Sequence, residues 1–516
     1  MVHRRQFLKT VSIAGASMPF AVRAEGAAKQ KPLRVIYSND TTHILSCRPP
    51  GPEREKAFTD AVLRKSITEA AGADAHFLQP GLGWIPWWKS KIYSAADHYD
   101  WLREKHGVRG VDKIGCYLLD GGDMLKTLVE TCREIGVAPF LSFRLNDGHH
   151  TRDLAQALER GQPAQGMSRH YWENYPRFRI GADPNNWDEA VFDWAIPEVR
   201  EHKMALLEEA SANYDLAGLE LDFLRHWNRF GPSTSVDQRR KITTDFVARV
   251  REMLDRTAAA RGLPRRSLCV RVPARAGVRP EQGIDLAALC EVGVDMINLS
   301  YSYFTWQDDS ARQARKEAGA KAKLYVEMTY TTLTGRATHG SGTQPFTRTT
   351  DEQFYTTARL ALDQGADGVS LFNFPYYRYH VTDRIGPFHE PPFHVLPRLK
   401  DRDFLNRQPT WAFLTAGRKD EVLGAKPLPV MLEEGKTQSF VLEVPPVQSG
   451  HAAGLLRLRF ETPLNAREME LRFNGTVLAP TAPVLEPLTS PYRGTWLGSV
   501  LKPRTGSKIQ LYPLGV

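Results

Sequence analysis

Short apolar runs alternate with amphipathic segments from Leu33 to about Lys400, and this alternation restricts the fold more than any other feature of the chain. Strands that follow one another through helices pair in parallel by right-handed crossovers. Eight such strands are the number that closes into a barrel surrounded by helices. The sequence therefore predicts an α/β fold of the (β/α)8 TIM-barrel type. The predicted strands are residues 34–39, 113–120, 138–146, 216–223, 268–275, 296–303, 323–330 and 368–375.

Amphipathic segments between these runs are predicted to be helices. In one of them Phe246, Val250 and Leu254 recur at a four-residue spacing, which places them on one helix face. An open doubly wound sheet is the alternative, and it usually has a glycine-rich phosphate-binding turn after its first strand. No such turn follows residues 34–39, so the closed barrel is favoured. The predicted helices are residues 55–71, 123–135, 197–212, 237–260, 285–292, 309–318 and 351–363.

The pattern changes after Lys400, where apolar and polar residues alternate with a period of two. Runs of this kind occur at residues 440–444, 456–460 and 469–473. The pair Asn474-Gly475 follows the last run and is a strong signal for a β-hairpin. We therefore predict a barrel over residues 32–405 and an antiparallel β-sandwich over residues 410–516.

Residues 1–24 resemble a twin-arginine export signal. Arg4 and Arg5 precede Phe7 and Leu8 at the expected offsets, and a mildly apolar stretch then ends in a small-residue cleavage site at Ala24. This pattern predicts export of the chain to the periplasm or the exterior. The apolar stretch is too short to span a bilayer permanently, and no other stretch approaches about 18 apolar residues, so no stable membrane anchor is predicted.

The net charge and the spacing of the cysteines and histidines indicate which macromolecules, metals and cofactors the chain is expected to bind. The formal net charge is +9, and removing the four cations of residues 1–24 leaves +5. This charge is not gathered into a polybasic stripe, so no nucleic-acid partner is expected, while an anionic polymer is a permitted substrate. The five cysteines have no CxxC spacing, and HxH and HExxH patterns are absent. We therefore expect no metal and no cofactor.

Alternate residues of a barrel strand face the lumen, so each strand pattern predicts which side chains point inward. Glu220 and Asp222 share one face of the fourth strand, and Glu327 lies on the polar face of the seventh. Burying such carboxylates costs several kcal/mol unless they are paired or functional. We expect them to meet at the mouth of the barrel with polar residues from the neighbouring strands. Those residues are Arg144, Asn146, Arg271 and Asn298.

Glycoside hydrolysis uses two carboxyl groups that face each other across one cavity. One protonates the leaving oxygen, and the other attacks the anomeric carbon or activates water. Asp222 and Glu327 are the predicted catalytic pair, with Glu220 as the reserve acid. Structural ion pairs between Glu220 and Arg271, or between Glu327 and Arg144, are the alternatives.

Residues 218–226, with the sequence GLELDFLRH, resemble the strand-four motif of the bacterial exported barrels known as family 10-like glycosylhydrolases. The resemblance covers roughly residues 33–400 in layout and implies a TIM barrel with glycosidase activity. It places Asp222 at the catalytic aspartate position and Glu220 at a variable position. Phe223 stands where many members have a second acid. Residues 144–150, RLNDGHH, resemble the end of strand three in such enzymes, where polar residues hold sugar hydroxyls.

The predicted function is an exported glycoside hydrolase acting on a poly- or oligosaccharide. A non-catalytic glycan-binding barrel and a metal-dependent hydrolase or lyase are the alternatives. The predicted substrate-binding residues are Arg144, Asn146, Asp147, His149, His150, Arg225, His226, Arg271, Asn298, Tyr301, Asn373 and Trp88.

Overall fold

The computed structural model divides the chain into two units, Met1–Leu33 and Arg34–Val516, and the fold described below is that of the second unit. The predicted export signal lies outside the described residues. Within the described residues, no helix combines the length and the apolar character needed to cross a bilayer. The described residues are 32–40, 44–45, 47–49, 57–80, 85–151, 153–333, 345–378, 390–415, 427–428, 430–446, 453–459, 469–479, 484–485, 493–495 and 508–515.

Eight parallel strands close into a barrel within the described part of the chain. Each strand pairs with its neighbours in sequence order, and the last pairs with the first, with Ser38 opposite Phe372. This closed ring confirms the predicted barrel. The strands are β1 (Val35–Asn39), β2 (Ala75–Leu78), β3 (Ala138–Arg144), β4 (Gly218–Asp222), β5 (Ser267–Pro273), β6 (Met296–Ser300), β7 (Lys323–Thr329) and β8 (Gly368–Phe372).

The predicted second strand, residues 113–120, is wrong. Lys113–Leu119 is a helix, because the Asp112 carboxylate caps it by accepting hydrogen bonds from the backbone N–H groups of Ile114 and Gly115. The second strand is instead the four-residue β2, whose residues are all buried. So short a run has no periodicity that would distinguish it from a loop.

Helices surround the barrel and largely match the predicted segments, with ends that differ by a few residues. The capping box of Ser235 and Gln238 starts the longest of them. The helices that were not predicted lie in the long connections and after β8. The helices are α1 (Asp60–Thr68), α2 (Ala95–His106), α3 (Lys113–Leu119), α4 (Met124–Ile135), α5 (Leu154–Arg160), α6 (Arg169–Phe178), α7 (Pro197–Asn213), α8 (Val236–Ala260), α9 (Leu286–Glu291), α10 (Ser310–Ala318), α11 (Asp351–Asp363), α12 (Val395–Arg398) and α13 (Arg402–Arg407).

Aromatic packing in the barrel explains why the GLELD segment begins with glycine. The rings of Phe77 and Phe140 stack with centroids 4.3 Å apart. A Cβ on Gly218 would lie 2.3 Å from the Phe140 ring and 2.3 Å from the carbonyl oxygen of Ser267. Only glycine fits there without displacing backbone, so this glycine serves packing.

Antiparallel pairing follows the barrel, as predicted. Ala453–Arg459 pairs with Lys508–Gly515, which also pairs with Val484–Leu485. The predicted hairpin is confirmed: Arg472–Phe473 pairs with Thr476–Val477. Its two turn residues have φ values of 48° and 83°, the left-handed pair that a type I′ turn requires.

The complete β-sandwich over residues 410–516 stays a prediction. The alternating run at 440–444 is not part of a strand. Arg493–Thr495 pairs with Pro345–Arg348, whose other neighbour is Thr331–Leu333. This segment therefore adds to a small sheet built from the connection between β7 and β8, not to a separate sandwich layer.

Candidate active site at the carboxyl end of the barrel

One arginine joins the two carboxylates predicted as the catalytic pair. Arg271 on β5 donates from Nη1 to Asp222 Oδ1 at 3.0 Å, and from Nε and Nη2 to the two oxygens of Glu327 at 2.6 and 2.7 Å. Its guanidinium lies 4.1 Å from the ring centroid of Phe372. The Ser300 hydroxyl donates a further bond of 2.6 Å to Glu327. Strands β4, β5 and β7 thus bring both acids to one guanidinium, as the alternation predicted.

Glu220 lies two residues before Asp222 on the same strand and has different partners. The Ser142 hydroxyl and the Asn298 amide donate to its two oxygens at 2.7 and 3.1 Å, and the Cys269 thiol lies at 3.7 Å. Burial, reinforced by the charge of Asp222, raises the pKa of Glu220 to about 7. Its partners are all neutral, so the proposed ion pair between Glu220 and Arg271 is wrong.

Replacing Glu220 with glutamine should remove a pH-dependent loss of stability. A carboxyl whose pKa is higher in the folded than in the unfolded chain favours folding below its unfolded pKa, near 4.5, and this contribution disappears as pH rises through about 7. The wild type should therefore lose roughly 3 kcal/mol across that window that Glu220→Gln retains. Urea unfolding at pH 4.5, 6 and 8 measures the difference.

Glu104→Gln is the matched control, because this carboxylate is 70% exposed on α2. It should follow the wild type at every pH. Parallel stability profiles for the wild type and Glu220→Gln would contradict the prediction. The side-chain oxygen of the neighbouring Asn298 has no partner among the described residues, so a side-chain acceptor lies on a residue that already contacts position 220.

All of these groups are sealed from solvent in this conformation. Asp222, Glu220 and Glu327 each have 0% relative exposure, and Arg271 has 2%. Asp222 also accepts hydrogen bonds from the side-chain amide of Gln79 and from the Leu224 backbone N–H. The carboxylates therefore converge as predicted, while the solvent access that catalysis needs is not present in this conformation. Their catalytic roles stay a prediction.

A second ion-pair chain lies at the strand ends next to the first. Arg144, the last residue of β3, donates to Asp147 Oδ2 at 2.7 Å and to Asp40 Oδ2 at 3.2 Å. The proposed ion pair between Arg144 and Glu327 is therefore wrong. Like Arg271, Arg144 already bonds to two carboxylates, which leaves neither arginine well placed to bind an acidic sugar substituent.

His149 extends this chain toward solvent. Its Nδ1 lies 2.5 Å from Asp147 Oδ1, and its Nε2 contacts the guanidinium of Arg225. Burial and Arg225 lower the pKa of His149, so the imidazole is neutral, donates its Nδ1–H to Asp147 and accepts from Arg225. The guanidinium also lies 5.5 Å from the Tyr303 ring centroid. With 20% of its side chain exposed, His149 is accessible to a ligand.

Several predicted binding residues hold loops together instead of facing the acids. Asn146 donates to the carbonyl oxygens of Phe192 and Asn228 at 2.9 and 3.1 Å. His226 lies 3.1 Å from Asp188 and is buried. These contacts fix the long connection after β3 against the segment after β4.

Tyr301 and Trp88 also bond to groups other than Glu220, Asp222 and Glu327. The Tyr301 hydroxyl bonds to Asp308 and Ser310, and its ring stacks on Trp306. The Trp88 indole donates to Glu209 on α7 at 3.0 Å. The side chain of His150 lies outside the described residues.

Gln79 is a site residue that the sequence pattern did not indicate. It follows β2 directly and donates to Asp222 Oδ2 at 3.1 Å. Placing the second strand at 113–120 put Gln79 in a loop, so the wrong strand assignment concealed it. In the part of the chain that the structure describes, no three His, Cys, Asp or Glu side chains are arranged to hold a metal ion.

Comparison with known proteins finds similarity only among solved structures. Neither a protein-family model nor a curated protein sequence matches the chain. A family 18 N-acetylglucosaminidase from Paenibacillus barengoltzii is 11% identical, with a TM-score of 0.39 over 71% of this chain and 99% of that chain. The PgaB (BpsB) glycoside hydrolase domain from Bordetella bronchiseptica is 10% identical, with a TM-score of 0.42 over 73% and 100%. A family 18 chitinase from Cycas revoluta is 9% identical, with a TM-score of 0.37 over 72% and 99%.

Proposed function

We propose that this protein is an exported glycoside hydrolase that cleaves a poly- or oligosaccharide at the carboxyl end of its barrel. The observation that supports the proposal is the bonding of Asp222 and Glu327, from strands β4 and β7, to the single guanidinium of Arg271. In TIM barrels this end of the strands is where active sites form. The twin-arginine pattern of residues 1–24 supports export.

In the proposed reaction Asp222 donates a proton to the leaving glycosidic oxygen. Glu327, as a carboxylate, attacks the anomeric carbon or takes a proton from the attacking water. Arg271 and Ser300 favour the ionised form of Glu327, although burial raises its pKa overall. The reverse assignment of the two roles is the alternative. In either case the mouth must open and Arg271 must release part of its bonding before a sugar can lie between the acids.

A screen of neutral and acidic oligosaccharides tests the proposal. Wild-type protein should release reducing ends from at least one glycan, and Glu327→Gln should lower that rate by about 10²–10⁴ because the amide can neither attack nor accept a proton. Turnover should be unchanged by a chelator. A rate that Glu327→Gln leaves intact, or that the chelator abolishes, would remove Glu327 from the mechanism or favour the metal-dependent alternative.

A glycan-binding barrel without catalysis is the second candidate. It is favoured by one observation: every oxygen of Asp222 and Glu327 has a hydrogen-bond partner, and both residues are fully buried. Buried, fully bonded carboxylates of this kind can have a purely structural role. Saturable binding of a glycan that the wild type never cleaves would support this candidate over the hydrolase.

A further inference from the structure

One guanidinium at the carboxyl end of the barrel, that of Arg225, has no carboxylate partner among the described residues. Arg225 follows Asp222, the last residue of β4, by three positions. It contacts the imidazole of His149, which follows β3, and its guanidinium lies 5.5 Å from the ring centroid of Tyr303, which follows β6. Both partners are neutral, so the charge of Arg225 is not used in an ion pair within the described part of the chain.

The carboxylates nearest to Arg225 are bonded to other groups. The charges of Asp147 and Asp40 act on Arg225, but both side chains accept hydrogen bonds from Arg144, and Asp147 also contacts His149. Burial and the charge of Arg144 lower the pKa of Arg225, which means that these surroundings disfavour its cation. An anion that approached Arg225 would offset this cost, because an opposite charge favours the protonated guanidinium.

Arg225 is accessible from solvent, whereas Arg271 is only 2% exposed. His149 and Tyr303 are partly exposed beside it. The ring of Trp187, which is also partly exposed, meets the imidazole of His149 edge to face with centroids 5.6 Å apart. A cation and three rings therefore lie together where a ligand can reach them. We call Arg225, His149, Tyr303 and Trp187 the rim cluster.

Ring contacts connect the rim cluster to the buried carboxylates. The ring centroid of Tyr303 lies 6.0 Å from that of Phe372, and the Phe372 ring packs against the guanidinium of Arg271 at 4.1 Å. Arg271 also donates to the carbonyl oxygen of Ser302, the residue before Tyr303, at 3.1 Å. Only the rings of Tyr303 and Phe372 thus separate Arg225 from the arginine that joins the two proposed catalytic acids.

We propose that the rim cluster binds a sugar unit with an anionic substituent, a carboxylate or a sulfate ester, through Arg225. The planar guanidinium can place parallel N–H groups against two anionic oxygens, and Tyr303 and Trp187 provide ring surface against which a sugar packs. The substrate of the barrel is then an acidic glycan. This inference rests on the proposed function, in that the acidic unit belongs to the glycan that the barrel cleaves.

A panel of uronate-containing and sulfated oligosaccharides, each with a neutral counterpart of the same linkage, tests the rim cluster by calorimetry. The wild type should bind at least one acidic member about tenfold more tightly than its neutral counterpart, and Arg225→Gln should lose that preference. Arg225→Lys should keep part of it, because the charge remains while the paired N–H geometry is lost. The uronate and sulfated members show which substituent the arginine binds.

Arg275→Gln is the matched control. Arg275 also follows a barrel strand, is partly exposed and lies 5.0 Å from the ring centroid of Trp306, but it is paired with Asp308 at 3.7 Å. Its substitution should leave the preference for the acidic member unchanged. The proposal is overturned if the wild type binds no acidic member, if it binds acidic and neutral members equally, or if Arg225→Gln retains the preference.

Chemical modification of the wild type tests Arg225 without relying on the folding of a variant. Phenylglyoxal reacts with accessible guanidinium groups, and mass spectrometry of peptides measures the modification of each arginine. The acidic oligosaccharide that binds should slow the modification of Arg225, and its neutral counterpart at the same concentration should not. Modification of Arg225 at an unchanged rate in the presence of saturating acidic oligosaccharide overturns the proposal, even where Arg225→Gln fails to fold.

The same measurements separate this proposal from the hydrolase proposal. Cleavage of a neutral glycan in preference to its acidic counterpart, with unchanged kinetics in Arg225→Gln, overturns the rim cluster and leaves the hydrolase standing. Binding of an acidic oligosaccharide that depends on Arg225, without its cleavage by the wild type, supports the rim cluster and overturns the hydrolase.

Discussion

Replacing Asp222 with asparagine should lower kcat on a glycan that the wild type cleaves by about 10²–10⁴, the range that a general acid contributes. An amide cannot donate the proton at the leaving oxygen, but its oxygen can still accept from Arg271 and from the Leu224 backbone. We therefore expect the fold to survive the change. Reducing-end assays with purified wild type and Asp222→Asn, compared at equal folded fraction, measure the effect.

Asp295→Asn provides the matched control. This carboxylate is also bonded to arginines, Arg251 and Arg265, but it precedes β6 at the opposite end of the barrel. Its substitution should lower stability and leave kcat within about threefold of the wild type. If Asp222→Asn behaves like Asp295→Asn, Asp222 is structural and the hydrolase proposal fails at its main residue.

Replacing Arg271 with methionine should give the largest loss of stability, about 3–5 kcal/mol at neutral pH. The substitution leaves Asp222 and Glu327 buried with no cation between them. The loss should shrink as the pH falls, because burial raises the pKa of Glu327 and a protonated Glu327 needs no counter-charge. Urea unfolding at pH 4, 5.5 and 7 measures both the size of the loss and its pH dependence.

Arg266→Met is the matched control. It shows how much stability is lost when a buried arginine that is not a counter-ion is removed. Arg266 is 2% exposed and donates to the carbonyl oxygens of Ser211 and Tyr214, so its removal leaves no carboxylate unpaired. We expect a smaller loss that does not vary with pH. A similar, pH-independent loss in both variants would show that the charge of Arg271 contributes little to the fold.

Strand alternation was sufficient to predict the inward-facing residues. In a β-strand successive side chains point to opposite faces, so the local sequence decides that Glu220 and Asp222 point the same way. The same rule placed Arg271 and Glu327 in the lumen, and the hydrogen bonds among these residues agree with it. The hairpin at Asn474 could be predicted for a similar reason, since its turn depends on two consecutive residues.

Pairing between strands was harder to predict. The four residues of β2 have no periodicity of their own and become a strand because β1 and β3 provide partners on both sides. Gln79 could be placed beside Asp222 only after that strand was known. The sequence of the helix at residues 113–119 predicts a strand because its apolar residues fit both periods over so short a length.

The direction in which each acid points follows from local geometry, and the sequence was enough to predict it. The partner of each acid depends on the closure of the ring. Arg144 is aligned with Asp222 across β3 and β4, yet it bonds to Asp40 and Asp147, while Arg271 bonds to Asp222 and Glu327. Which carboxylates each arginine bonds to depends on the tilt and register of the strands and on loops that are distant in sequence. The burial of the carboxylates depends on the same long-range packing, because exposure is a property of everything that surrounds a side chain.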